Sequence, residues 1–189
     1  MKPSLSRFAI LFLTAALTAC AATGTRQSGA STEVARFHLG EPIARAQISI
    51  EPFDKADANR AEFAGYVGAV ERQLARLGWT VVRSGQSEQV AMIDVEQGSR
   101  NAIAALAAAR VGRGVSATAP SGDARDVVAT LLEVAIRRRS DGTVFWEGRA
   151  VAESQAGGPT GASAGAIEKL AGALFRDFPG ESGRTIRIR

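Results

Sequence analysis

One cysteine, one histidine and one tyrosine occur in 189 residues, and each scarcity excludes some chemistry. A lone cysteine has no partner for a disulfide. A lone histidine, His38, does not make a metal site, and no spaced cluster of carboxylates accompanies it. No motif indicates which serine could join His38 in a nucleophile–base pair. Gly112-Arg113-Gly114 is not the GxGxxG fingerprint, and no Walker-type loop occurs. Asp54, Asp57 and Glu62 lie close together ahead of a helix, where the helix dipole attracts acids for its own reasons. Asp94, in VAMIDVE, reads as a polar-face strand residue rather than a general acid. The expectation is a protein that is not an enzyme, with no catalytic residue, no metal and no cofactor.

Lysine is also scarce: 20 of the 23 basic residues are arginine, which raises the isoelectric point more than the net charge of +4 warrants. Without Lys2 and Arg7, 21 basic residues face 19 acidic ones, a net of +2. No nucleic-acid partner is expected from that balance. Hydrophobic residues make up 46% and charged residues 22%, enough for one buried core.

The chain opens MKPSLSRFAILFLTAALTAC. Two early cations, a short apolar stretch from Phe8 to Leu17 and small residues before Cys20 follow the plan of a secretory signal. The stretch is shorter than the roughly 20 apolar residues a bilayer span needs. Leu17-Thr18-Ala19-Cys20 resembles the bacterial lipobox. That resemblance implies cleavage before Cys20, a diacylglyceryl group on its thiol and an acyl chain such as palmitate on its new amine. One chain holds a protein only marginally, whereas several anchor it stably at about 0.8 kcal/mol per buried methylene. Residues 1–19 are therefore expected to be a lipoprotein signal peptide and Cys20 the lipidation site. Residues 20–32, small and polar, are expected to be a flexible tether, and residues 33–189 a single domain.

Within that domain, EVARFHL alternates imperfectly and RAQISIEPF places Ala46, Ile48 and Ile50 on one strand face. Pro52 ends that ladder. Phe63, Val67, Val70, Leu74 and Leu77 form a helical stripe, with Asp57 or Asn59 as N-cap and Gly78 as the stop. Residues 79–83 and 90–96 read as strands. NAIAALAAAR has helical propensity, but residues 98–124 as a whole read as a long irregular connection with a turn or two of helix. Residues 126–139 and 143–153 read as strands. Ile167, Leu170, Ala171, Leu174, Phe175 and Phe178 mark a second amphipathic helix, closed by Pro179-Gly180. TIRIR reads as an edge strand. The expected fold is α+β: a two-layer sandwich with a mixed, mostly antiparallel sheet and two amphipathic helices on one face.

IRRRSDGTVFWEGR, residues 136–149, raises the question of a basic patch. A three-residue loop with Gly142 left-handed would pair Arg139 with Thr143. It would then set Leu132, Val134 and Ile136 against Ala150, Gly148 and Trp146, and Glu133 against Arg149. That register separates core from solvent. Arg137 and Arg139 then point one way and Arg138 the other, so the three do not form one patch. Contact with a phosphate surface stays open as the lesser reading. Phe145 falls on the charged face in this register, as a lone exposed aromatic, as a residue lying under a helix or loop, or as part of a partner-binding patch with Arg137 and Arg139.

These pieces resemble a bacterial envelope-lipoprotein family, the domain-of-unknown-function 4136 family. The resemblance is carried by the lipobox, by Leu77-Gly78-Trp79 at a helix end, by Leu132 to Ala150 as a hairpin, and by LFRDFPGESGRTIRIR at the end. It covers about residues 33–189. It implies a small α+β domain on a lipid-anchored tether and brings no catalytic residues. Ala21 is not the aspartate that retains lipoproteins in the inner membrane of enteric bacteria, so the outer membrane, facing the periplasm, is expected. Two roles are carried forward: a non-catalytic adaptor or structural component that binds an envelope protein through a sheet edge or Phe145, and a carrier of a small apolar ligand or lipid. A hydrolase using His38 is the third and weakest.

Overall fold

The computed structural model describes residues 31–110, 127–155 and 163–188. In chain order the elements are β1 (Thr32–His38), β2 (Gln47–Pro52), α1 (Phe63–Arg76), β3 (Thr80–Val82), β4 (Gln89–Ser99), α2 (Arg100–Arg110), β5 (Val127–Arg138), β6 (Val144–Gln155), α3 (Ala164–Phe175) and β7 (Arg184–Ile188). One open seven-stranded sheet has the order β3-β2-β4-β5-β6-β1-β7. Strand β2 runs parallel to β3 and β4; the other pairings are antiparallel. The α+β expectation therefore holds, and β7 is an edge strand as the TIRIR pattern suggested.

Two helices, α1 and α3, pack against each other and against one sheet face. The core between them contains Ile48, Ile93, Leu132, Val134, Ile136 and Trp146 from the sheet. Strands place successive residues on opposite faces, so this is the even-numbered face of β4's neighbour β5. Helix α1 differs from the expected stripe: Phe63, Tyr66, Ala69, Val70, Gln73 and Leu74 are buried, while Val67 and Leu77 are only partly so. Asp57 and Asn59 do not cap it. They form a separate 3-10 turn, and α1 starts at Phe63 with no side-chain cap. Its end is as expected. Gly78 sits at φ +99°, and the Trp79 amide donates to the Leu74 carbonyl at 3.1 Å, a Schellman-type closure.

A third helix, α2, lies on the opposite face, which the two-helix expectation omitted. Ile103 buries there against Ala129 and Leu131, the odd-numbered residues of β5. The Ser99 hydroxyl accepts from the Ala102 amide at 3.2 Å as its N-cap. At its other end, Arg149 Nη2 donates to the Arg110 carbonyl at 3.1 Å. Arg110 in turn pairs with Asp94 and with Glu133. An alanine-rich helix with one buried side chain has little apolar driving force of its own, so these polar attachments hold it.

Strand β1 explains its own imperfect alternation. Arg36 occupies a core-facing position and is only 3% exposed. Its Nε and Nη2 donate to the carbonyls of Leu174 at 2.9 Å and Ala173 at 2.8 Å, the last turn of α3. A helix C-terminus leaves carbonyls without partners and carries partial negative charge, so a buried guanidinium completes it. Burial pulls the Arg36 pKa down, and Asp177 opposes that pull.

The β5–β6 hairpin keeps the expected pairs Leu132–Ala150, Val134–Gly148, Ile136–Trp146 and Glu133–Arg149, but its turn differs. Arg138, not Arg139, closes the ladder: its amide donates to the Thr143 carbonyl at 2.8 Å, and the Gly142 amide returns to the Arg138 carbonyl at 2.9 Å. The loop thus has four residues, 139–142, with Gly142 at φ +73°. A loop one residue longer would turn Trp146 onto the charged face. An irregularity between Ile136 and Arg137 absorbs the extra residue. Trp146 stays fully buried, and Phe145 also packs against the helix-side core. Phe145 is thus not on the charged face, nor opposite Arg137, whose partner is Val144.

Candidate functional site

The bulge that moves Phe145 also builds a groove. Leu39, which follows His38 at the end of β1, is neighbour to Phe145 because His38 pairs with Trp146. Beyond Leu39 the chain turns through Gly40, at φ +82°, and brings Pro42 and Ile43 over the same end of the sheet. Phe145, Leu39, Pro42 and Ile43 line a concavity of about 270 Å³, with Glu41 and Glu88 at its margin. Leu39 is 64% exposed, an unusual state for leucine next to other apolar side chains. Arg138 covers one side. Its guanidinium lies 5.0 Å from the Phe145 ring centroid and 2.6 Å from Asp141.

The sequence-nominated residues are dispersed. Phe145 and Arg138 flank the groove. Arg137 lies half-buried on the α2 side of the sheet, paired in register with Val90 and Val144. Arg139 leaves the strand and reaches across β4 toward β2. Its Nε donates to the Ser87 carbonyl at 2.9 Å, and its Nη2 to Ser49 Oγ at 2.9 Å and Glu51 Oε1 at 2.6 Å. The three arginines therefore go three ways, and no basic patch results. Cys20, residues 1–19 and most of the tether lie outside the described residues. Thr32, placed in the tether, is the first residue of β1.

Glu51 is the hub of that strap. It also accepts from Ser84 Oγ at 2.8 Å and the Gly85 amide at 3.1 Å. The Arg139 hydrogen bond, above the others, holds its pKa at about 2, against an ordinary 4.5. A depressed folded pKa means stability that is complete above pH 4.5 and lost as pH falls toward 2. Glu51→Gln is expected to cost about 1–2 kcal/mol at neutral pH, allowing for solvent screening. It should also flatten the decline in stability between pH 5 and pH 2, read from urea titrations across that range. An unchanged acid limb would refute this role.

His38 is held by backbone rather than by catalytic partners. Its Nδ1 accepts from the Gly40 amide at 3.1 Å, which makes Nε2 the donor to the Gly180 carbonyl at 3.0 Å. The ring thus fixes the groove loop to the segment between α3 and β7. On the α2 side, Asp94, Glu133 and Arg149 are buried together, and Arg149 also pairs with Glu147. Burial pushes the Glu147 carboxyl up, Arg149 opposes this, and Glu133 adds to it. This cluster anchors the end of α2. Among the described residues no group of three or more His, Cys, Asp or Glu is arranged to hold a metal ion, and no helix is long and apolar enough to cross a membrane. A second, wider concavity of about 610 Å³ runs beside β7, lined by Arg176, Asp177, Ile186, Arg187 and Ile188.

Leu39, Glu41, Ile43 and Glu88 were not singled out in the sequence. The signal that could have found them is the stretch LGEPI at 39–43, where apolar residues sit among chain-turning glycine and proline and an acid. Arg36 was signalled only by the gap it leaves in the apolar alternation of β1.

No family model matches the chain. The sequence is 25% identical, over 211 residues covering 83% of this chain and 80% of the other, to an uncharacterized protein of Zymomonas mobilis subsp. mobilis. The structure is similar to a PDZ domain protein from Parabacteroides distasonis, with a TM-score of 0.52 at 12% identity over 84% of this chain. That match covers 39% of the Parabacteroides chain, so this protein spans about two fifths of its length. A looser likeness, with a TM-score of 0.33 and 15% identity over 67% of this chain and 80% of that one, is to a provisionally assigned lipoprotein from Caulobacter crescentus. The chain is thus similar in sequence to a bacterial protein of unassigned role, and similar in fold to part of a larger bacterial protein.

Proposed function

We propose that this is a lipid-anchored envelope protein of the kind the domain-of-unknown-function 4136 resemblance implies, acting as a non-catalytic adaptor. Lipidated Cys20 ties it to the outer membrane on the periplasmic side, and the groove at Phe145 receives an envelope protein. The observation that carries the reading is the position of the groove relative to the tether. Strand β1 begins at Thr32, with eleven residues between it and Cys20, and the groove lies at its other end, beyond His38. Those eleven residues reach at most about 40 Å, and the strand adds roughly 20 Å. A protein anchored at Cys20 therefore carries its groove on the end of the sheet away from the anchor. The groove, about 270 Å³ and lined by Leu39, Ile43 and Phe145, suits a side chain or two of a protein partner. The engagement of both His38 nitrogens by backbone supports a structural histidine over a hydrolase.

The anchor is tested by intact-mass analysis of protein purified from its host. Material beginning at Cys20 and carrying acyl chains is expected, and Cys20→Ala should move the protein out of the membrane fraction. An unmodified thiol, or a Cys20→Ala protein that stays with the membrane, would refute it.

A further inference from the structure

The adaptor reading leaves the partner's chemistry open, and the charges at the groove narrow it. Glu41 has no ionic partner among the described residues. Glu88 has none either; the Ser140 amide, at 3.2 Å, and the Ser140 hydroxyl hold its Oε1. These Ser140 bonds keep the Glu88 carboxyl below its ordinary range. Arg138, the cation lining the groove, is already engaged by Asp141 and the Phe145 ring. Arg45, close by in sequence, lies 5.8 Å from the Trp79 ring centroid. The margin of an apolar groove thus keeps two carboxylates outside any ion pair among the described residues, with Arg138 and Arg139 acting on Glu88 only from longer range. The concavity beside β7 differs: of its lining charges, Arg187 pairs with Glu33 and Arg176 with Asp177, so they are already matched.

Resting on the adaptor reading, we propose that the groove binds an extended basic-apolar protein segment. A leucine-sized or aromatic side chain would sit on Leu39, Ile43 and Phe145, with an adjacent lysine or arginine facing Glu41 and Glu88. The apolar anchor supplies affinity, since buried side chains at an interface centre dominate its energetics. The rim carboxylates supply selectivity, because rim charges act mainly on encounter rate and on rejecting like-charged partners.

The test uses the full chain in detergent and two fluorescein-labelled decapeptides read by anisotropy. One alternates leucine and phenylalanine with lysine and arginine; the other replaces the basic residues with glutamate. At low salt the basic peptide is expected to bind about tenfold tighter or better than the acidic one. Glu41→Gln combined with Glu88→Gln, both exposed positions, should collapse that preference to under about threefold with circular dichroism unchanged, as should roughly 0.5 M NaCl. Leu39→Ser should weaken the basic peptide with its preference intact. Equal binding of the two peptides, binding of neither, or a preference that survives the double substitution would overturn the inference. In cells, a photo-crosslinker at Leu39 should map to a partner segment carrying an apolar residue beside lysine or arginine. A crosslink to an acidic protein segment would overturn this inference and leave the adaptor reading standing. A crosslink to lipid would overturn both.

Discussion

Gly148→Ala is expected to destabilise the domain by about 3 kcal/mol or more, the upper range for overpacking a core. The Trp146 indole lies across Gly148 on the same strand face. A Cβ at position 148 would come within 2.7 Å of Trp146 Cζ2 and 2.8 Å of Leu174 Cδ1. The indole has little room to yield. Trp146 is wedged against Phe175 at 5.3 Å and Phe178 at 5.1 Å between ring centroids, and its Nε1 donates to the Pro179 carbonyl at 2.9 Å. Leu174 is fully buried in α3. For a domain of this size each kcal/mol lowers Tm by about 2–4 °C, so a fall of roughly 6–12 °C should appear in calorimetry. Fluorescence should show the indole moved toward water. A Tm within about 2 °C of the parent would mean that the ring has another place to lie.

Arg36→Met should cost about 2–4 kcal/mol, for a different reason. Methionine fills part of the volume but donates nothing, so the carbonyls of Ala173 and Leu174 lose the guanidinium that completes α3. Removing one partner of a buried polar contact exposes the full desolvation penalty of the other. Arg36→Lys keeps the charge but not the planar two-pronged donor, and should recover less than half of the loss. The discriminating readout is hydrogen exchange. Protection should fall first in the last turn of α3 and at Gly183, whose amide donates to the Arg36 carbonyl at 2.8 Å. A uniform loss across the sheet would instead indicate general unfolding.

Much of the fold was legible because its signals are local and repetitive. The stripe in α3 up to Phe175, where the helix ends short of the expected Phe178 and Pro179-Gly180, the Leu-Gly-Trp stop of α1 and the alternation in β5 and β6 all concern residues within a few positions of each other. The α1 stripe was rotated because Tyr66 and Gln73 are buried, Tyr66 with a hydrogen bond from Gln97 to its hydroxyl at 3.3 Å. Helix α2 was underread for a related cause: its sequence is permissive, and what holds it is Asp94 on the preceding strand together with Glu133 and Arg149 on β5 and β6. The candidate site was half legible. Phe145 drew notice as an aromatic that did not fit its assigned face, but Leu39 and Ile43, more than 100 residues away in the chain, could not be joined to it.

The amino-acid sequence alone determined nearly all the element types and their order, the separation of core from solvent in the β5–β6 hairpin, and the opposite directions of Arg137 and Arg138. Each of these follows from side-chain period and local turn chemistry, which operate over a few residues. Only the tertiary structure decided that Arg36 completes α3 from beneath, that α2 covers the second face, and that Phe145 meets Leu39 at the end of β1. A buried guanidinium, an alanine-rich helix and a displaced aromatic take their free energy from groups that the chain brings together only once the sheet has closed its register.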